Sequence, residues 1–331
     1  MAKRSRLTRW FYGIVVLIIL GAIVFYLGPR TEVSTSISFD PAAIGEDVEA
    51  YLARQEARFD DIRPGLNKQV VWAYPASRAK TPISLVYIHG FSASPGEIRP
   101  VMDIVAEDIG ANLYYTRLVG HGRTGDAMAE ATVDGWVNDV AEAIAIGRRL
   151  GERVILVGTS TGGTLTTWAA TQPDLSADVA GIVNISPNYG IQAAGAGLLT
   201  IPWARQILGI VAGERRSFEP KNDLQRQNWT HEYPSEAVLP MAELVKLVQN
   251  ADFSKITIPI LFIFSENDTV VRPEMTKSVA GQWGADSEIV IINDSEDKDH
   301  HVLAGDAISP GTTQRTVDII EDWIGKLPDV S

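Results

Sequence analysis

Residues 153–170 read RVILVGTSTGGTLTTWAA. An apolar run, Val154 to Val157, passes through Gly158, Ser160, Gly162 and Gly163 into a helix-forming stretch. An uninterrupted apolar run this short suits a strand buried on both faces, as in a parallel sheet covered by helices. Glycine has the backbone freedom to reverse the chain in the few residues between strand and helix. A chain that must accommodate this segment is therefore drawn towards alternating strands and helices.

The rest of the chain keeps that alternation. KQVVWAYP and PISLVYIHG read as strands separated by a turn, a helix is expected over about 96–109, and ANLYYTRLVG reads as a strand. In VDGWVNDVAEAIAIGRRLG the apolar residues Val133, Val137, Val140 and Ile144 fall on one helical face, and Gly151 lies just past the end. VAGIVNISP is the next strand. Residues 188–250 break the rhythm: they open apolar, continue polar and end in the amphipathic AVLPMAELVKLVQ, which reads as a mostly helical insertion. The alternation then resumes with TIPILFIFS, EMTKSVAGQW, SEIVIIND and TTQRTVDIIEDWIGKL as strand, helix, strand and helix. The expected class is α/β, a mostly parallel central sheet with helices on both faces.

The N-terminus is different. Residues 1–30 carry five basic side chains (Lys3, Arg4, Arg6, Arg9 and Arg30) and no acidic one. Trp10 to Leu27 contain no charge, and a bilayer core takes about 17–25 apolar residues. Trp10, Phe11, Tyr12 and Tyr26 sit near the ends, where interfacial aromatics belong. A cleaved signal peptide is the alternative, but it has a shorter apolar region and a small-x-small cleavage site, whereas this run ends Phe-Tyr-Leu-Gly-Pro-Arg. The expected organisation is a basic cytoplasmic end at 1–9, a transmembrane anchor at 10–28, and a tether with a helix at 29–67. A core at 68–187 and 251–331 follows, interrupted by the insertion at 188–250. More positive charge precedes the anchor than follows it, so the body is expected outside the cytoplasm. The N-x-S/T triplets at Asn184, Asn228, Asn267 and Asn293 read as chance, since Asn184 and Asn293 fall in expected strands. With the anchor, this favours a bacterial envelope protein.

Composition removes several classes. The 331 residues include no cysteine, so disulfides, thiolate nucleophiles and cysteine-ligated metal centres are excluded. A net charge of −12 argues against a nucleic-acid surface.

A G-x-S-x-G pentapeptide between strand and helix is a nucleophile elbow, with Ser160 as the candidate nucleophile. A serine needs a base, and of His89, His121, His231, His300 and His301 the last two lie between the final strand and the final helix. An elbow in this topology has the chain order serine, acid, histidine. His301, which leads into Val302 and Leu303, is preferred over His300. The acid should follow the preceding strand, where Asp268 is favoured over Glu266. Asp297 and Asp299 read as local charge compensation. An oxyanion needs backbone donors. Thr161, after the nucleophile, and Phe91, in the loop after SLVYIHG, are the candidates. His89 reads as a residue that shapes this loop through hydrogen bonds.

YIHGFSASP, GHGRTGDAMAEATVDGWVNDV, VGTSTGG, FSENDTVV and DHHVL together resemble an α/β-hydrolase, specifically the monoacylglycerol lipase and carboxylesterase branch, also described as serine-aminopeptidase-like. The resemblance covers about 68–328 and leaves out anchor and tether. It departs at the threonines flanking the serine and at His300, where a small residue is frequent before the base. It implies an ester hydrolase acting through an acyl-enzyme on a monoacylglycerol or another short- to medium-chain ester, with no metal or other cofactor. It also implies that 188–250 is the cap, and that His121, followed by Trp136 and Asp139, is an architectural loop stabiliser. AGAGLLTIPW and ILGIVAG would line an alkyl channel or touch a membrane, or else simply pack the cap on the core. An amidase or peptidase with the same triad is the first alternative, and a non-catalytic binding protein on the same fold the second. Acyl transfer to an alcohol and the oligomeric state are left open by the sequence.

Overall fold

The computed structural model describes residues 6–328, so Lys3 and Arg4 of the expected cytoplasmic end lie outside the described residues. The strands are β1 (Gln69–Val71), β2 (Thr81–Ile88), β3 (Asn112–Tyr115), β4 (Gly151–Thr159), β5 (Val179–Ile185), β6 (Arg215–Ser217), β7 (Glu232–Pro234), β8 (Ile260–Phe264) and β9 (Ser287–Ile291). The helices are α1 (Arg6–Tyr26), α2 (Val48–Glu56), α3 (Val101–Asp108), α4 (Val133–Leu150), α5 (Thr161–Ala170) and α6 (Pro173–Ser176). After these come α7 (Ala204–Ala212), α8 (Asp223–Asn228), α9 (Val238–Gln249), α10 (Pro273–Ala280) and α11 (Thr313–Ile324).

Seven strands form one sheet in the order β1-β3-β2-β4-β5-β8-β9. β1 runs antiparallel to β3, and every other neighbouring pair is parallel. Alternate side chains of each strand face opposite layers, as the pleat requires. Val86, Ile88 and Leu156 join a core with Trp136, Val140 and Ile144 of α4 and with Leu165 and Trp168 of α5. Leu85, Tyr87, Ile155 and Val157 join a second core with Val101, Met102 and Val105 of α3 and with Val317 and Ile320 of α11. This is the α/β-hydrolase arrangement, with helices on both faces. The loops after β2, β4, β8 and β9 leave the sheet at the carboxyl ends of parallel strands, where open α/β sheets hold their sites.

Three expectations are corrected. The helix expected over 96–109 is divided: Pro95–Glu97 form a 3₁₀ turn and α3 begins at Val101. Pro100 disfavours helical backbone at the residue before it, so the helix cannot extend back through Arg99. The strand expected over 111–120 ends at Tyr115, and Thr116–Gly120 form a loop. The insertion is helical in α7, α8 and α9, but β6 and β7 form an antiparallel ribbon inside its polar part. Three-residue strands are too short to show a period of two.

The N-terminal helix is long and apolar enough to cross a membrane: Thr8–Tyr26 has a mean hydropathy of 2.1 and none of it is buried. The segment after it lies along the body. Trp203 donates its backbone N–H to Pro29 O at 2.8 Å. Asn138 Oδ1 on α4 accepts from Ser38 N at 2.8 Å and from Phe39 N at 2.9 Å.

Gly151 joins α4 to β4 where the helix end crosses β2. A Cβ there would stand 2.3 Å from Ser84 N and 2.7 Å from Ile83 C, both backbone atoms that cannot give way. Gly151→Ala should therefore destabilise the protein by about 2–4 kcal/mol. Gly209 lies within α7 with nothing inside 4 Å of the same position. Gly209→Ala should be neutral or stabilising by up to about 1 kcal/mol. Urea unfolding of the full chain in detergent, followed by tryptophan fluorescence, checks the pair. Equal midpoints for the two variants would contradict this account.

Candidate active site

Ser160 connects β4 to α5 with φ 53° and ψ −114°, a conformation that L-residues rarely adopt. Two close approaches hold it there. A Cβ on Gly158 would lie 2.5 Å from Gly162 C, and a Cβ on Gly162 would lie 1.9 Å from Ile88 O. The turn closes only because both residues lack side chains. Ser160 N donates to Ile185 O at 3.0 Å, and Ser160 O accepts from Asn188 N at 3.0 Å. The side chain is nearly buried, and Ser160 Oγ has no hydrogen-bond partner among the described residues.

Asp268 follows β8 in a turn held by Asn293, whose Oδ1 accepts from Ser265 Oγ and Glu266 N, each at 2.9 Å. Asp268 Oδ1 accepts from Val270 N at 2.8 Å and Val271 N at 2.9 Å, and Oδ2 meets His301 Nδ1 at 2.8 Å. The carboxylate is thereby fixed from three directions, and it sets which ring nitrogen of His301 carries the proton. Glu266 points to solvent and pairs with Lys277. His300 sits at φ 52° with Nδ1 buried and without a partner among the described residues.

Asp297, read from sequence as local charge compensation, is instead a buried staple of the histidine loop. Its Oδ2 accepts from His301 N at 3.1 Å and Val302 N at 2.9 Å, and its Oδ1 accepts from Lys221 Nζ of the insertion at 2.5 Å. Burial opposes its charge, but Lys221 and these amides outweigh burial and hold the carboxyl below the usual carboxylate range. Nothing local in DKDHH distinguishes Asp297 from Asp299. The choice is made by which one turns inward.

The Phe91 loop is held by two neutral histidines. His89 Nδ1 donates to Gly90 O at 2.9 Å while Nε2 accepts from Leu118 N at 3.1 Å. His121 Nδ1 donates to Val119 O at 3.1 Å while Nε2 accepts from Ser92 N at 3.0 Å. Accepting a backbone N–H requires an unprotonated Nε2, so both rings are neutral. Burial pushes His89 well below the ordinary imidazole value and His121 down to about 4. Asp139, buried and raised to about 7 by burial, accepts from Val119 N at 2.6 Å and completes this support. The Phe91 and Thr161 amides have no hydrogen-bond partner among the described residues, and Thr161 Oγ1 is buried without one.

Two further residues were missed in the sequence. Glu97 is fully buried, accepting from Gly90 N at 2.6 Å and from Tyr87 Oη at 2.9 Å. Asn188 sits between Ser160 O and Met241 Sδ, to which its Nδ2 donates at 3.2 Å, and its Oδ1 is buried without a partner among the described residues. An acid in a loop reads as solvated unless its burial is known. Met241 in turn lines an apolar cavity of about 190 Å³ in the insertion, with Ile191, Leu198, Leu199 and Leu208.

Burial opposes charge on His301, but Asp268 first, and then Asp297 and Glu97, outweigh it and raise its pKa above the ordinary value. The folded state therefore binds this proton more tightly than the unfolded chain. The resulting stability is fully present below the unfolded value near 6.5 and is lost as pH rises through the folded value. In an imidazole NMR titration from pH 9 to pH 5, His301 should gain its proton above about 6.5 while His89 and His121 stay neutral throughout. Asp268→Asn should move the His301 midpoint down. A His301 midpoint below about 6.5, the ordinary imidazole value, would contradict the account.

Comparison with known proteins agrees with this architecture. The model of the family described as serine aminopeptidase, S33, matches residues 80–296. The thermostable monoacylglycerol lipase of Bacillus sp. (strain H-257) is 26% identical over 254 residues, covering 76% of this chain and 96% of that protein. Among solved structures, one of the metagenome-derived lipolytic enzymes LipS and LipT superposes with a TM-score of 0.62 at 21% identity, covering 80% of this chain and 99% of the other. A soluble variant of monoglyceride lipase from Saccharomyces cerevisiae gives 0.59 at 12% identity, with 78% and 90% covered.

Proposed function

Because the chain belongs to the serine aminopeptidase, S33, family of α/β-hydrolases, we propose that it is a membrane-anchored serine hydrolase of carboxylic esters. The observation that carries the reading is the pairing of His301 with Asp268 at 2.8 Å on the sheet edge where Ser160 holds its strained elbow. Ser160 Oγ attacks the acyl carbonyl while His301 Nε2 takes the hydroxyl proton. The Phe91 and Thr161 N–H groups bind the oxyanion. As the tetrahedral intermediate collapses, the C–O bond to the alcohol breaks and His301 returns its proton to the departing oxygen. His301 then deprotonates a water that attacks the acyl-enzyme, and the carboxylic acid leaves with Ser160 restored.

Ester specificity is supported by the lipase relative and by the apolar cavity beside Met241, which suits an acyl chain of a monoacylglycerol or another short- to medium-chain ester. The apolar helix α1 supports an anchor, with the basic end cytoplasmic and the body outside, on a bacterial extracytoplasmic face. The family description supplies the second reading, amide cleavage by the same residues.

The full chain in detergent should hydrolyse p-nitrophenyl esters and monoacylglycerols, with Ser160→Ala lowering kcat by about 10⁴-fold or more. Asp268→Asn should cost about 10³–10⁴-fold. Since the base must be neutral, kcat/KM should rise with pH through the raised pKa of His301, and its midpoint should fall in Asp268→Asn. Fluorophosphonate labelling of Ser160 without turnover of any ester would favour the amidase reading. Neither labelling nor turnover in folded protein would remove the enzymatic reading in favour of a binding role.

A further inference from the structure

Gly90 is gripped on both sides. Its carbonyl accepts from His89 Nδ1 at 2.9 Å, and its N–H donates to Glu97 Oε1 at 2.6 Å. The Gly90 carbonyl shares a planar peptide unit with the Phe91 N–H, so the direction of one fixes the other. Glycine has more backbone freedom than any other residue, and here these two bonds restrict it in place of a side chain. A side chain is excluded: a Cβ on Gly90 would lie 3.0 Å from Glu97 Oε2 and 3.2 Å from Ser160 Cβ. Glu97 Oε2 and the nucleophile therefore lie against the same point of this loop.

The carboxyl also reaches the other parts of the site. Tyr87 Oη, which meets Glu97 Oε1 at 2.9 Å, bonds Thr159 Oγ1 at 2.8 Å, and Thr159 immediately precedes Ser160. Gly305, four residues after His301, has φ 102°, and a Cβ there would stand 2.9 Å from Glu97 O. Asp306 N donates to Arg99 O at 2.9 Å, so the histidine loop rests on the Glu97 segment. Glu97 thus touches the oxyanion loop and the histidine loop directly and reaches the nucleophile strand through Tyr87.

We propose that Glu97 is a positioning residue of the oxyanion site, holding the Gly90 peptide so that the Phe91 N–H points at the developing oxyanion. This rests on the hydrolase reading of Ser160, His301 and the two amides. No cation pairs with Glu97 among the described residues. Burial raises its pKa to about 7, against the lowering effect of Gly90, Tyr87 and His301. The titratable groups facing it are Tyr87, kept neutral by burial, and His301, whose positive charge favours the Glu97 anion. Acceptor geometry, rather than a permanent charge, is what the loop requires.

The test compares three variants of the full chain in detergent, each checked for folding by thermal unfolding and assayed on p-nitrophenyl butyrate. Glu97→Ala removes the acceptor and should lower kcat about 10- to 100-fold with KM within about threefold, since the contact serves the transition state. Glu97→Asp keeps the charge but withdraws the oxygen from Gly90, and should lose kcat as the alanine variant does. Glu97→Gln keeps an acceptor of the same reach and should recover most of the loss. With the anion removed, the midpoint of its kcat/KM profile should fall below that of the wild type. If Glu97→Ala does not fold, the Asp and Gln pair decides. Wild-type kcat in the Asp variant, a loss confined to KM, or a Gln variant as impaired as Asp would each overturn the proposal. Wild-type protein that neither hydrolyses the ester nor reacts at Ser160 with a fluorophosphonate would instead remove the hydrolase reading and this proposal with it.

Discussion

The close approach of Gly162 to the carbonyl of Ile88, with Gly158 packed against Gly162, is the contact on which the rest of this molecule depends. It lets α5 start almost on top of β2 and β4, and it holds Ser160 at a positive φ that would otherwise relax. Strain of this kind costs about 1–3 kcal/mol and persists only where the surroundings over-determine it. Here they do so through Ser160 N on Ile185 O, Asn188 N on Ser160 O, and the buried cores on either face of the sheet. The elbow is a local deformation maintained by global packing.

Around that fixed point, the polar groups are arranged by backbone hydrogen bonds more than by ion pairs. His89, His121, Asp139, Glu97 and Asp297 each accept from at least one main-chain N–H, and all but the half-buried Asp139 are at least nine-tenths buried. Each bond answers the desolvation that burial imposes on the group. The same bonds shape the loops after β2, β3 and β9, segments with little regular structure of their own. The two buried imidazoles, His89 and His121, are locked neutral by that work, while His301 is the one drawn towards charge by Asp268.

The insertion is tied to both the core and the N-terminal segment. Lys221 reaches Asp297 beneath His301, and Asn188 and Met241 connect the elbow to the apolar cavity. Trp203 bonds Pro29 at the exit of the apolar helix, and Asn138 holds Ser38 and Phe39 along α4. The segment that reads as a tether is therefore laid against the body, and the insertion meets the chain where the N-terminal helix ends.

The sequence by itself determined the alternation of strands and helices, the elbow at Ser160, and the order in which an acid and a histidine follow it. These depend on short-range signals: apolar periodicity, glycine at a sharp turn, and polar residues just past a strand. It also marked Trp10 to Leu27 as apolar throughout, a property of composition alone. Only the tertiary structure decided which acids turn inward. Asp297 and Asp299 are two residues apart in one charged run, and Glu97 sits in a loop of small residues, so nothing nearby separates a buried acceptor from a solvated charge. The same holds for His300 beside His301, and for the ribbon of β6 and β7 inside a segment that reads as helical. Burial and hydrogen-bond partnership are set by elements far apart in the chain, and these become neighbours only when the sheet has formed.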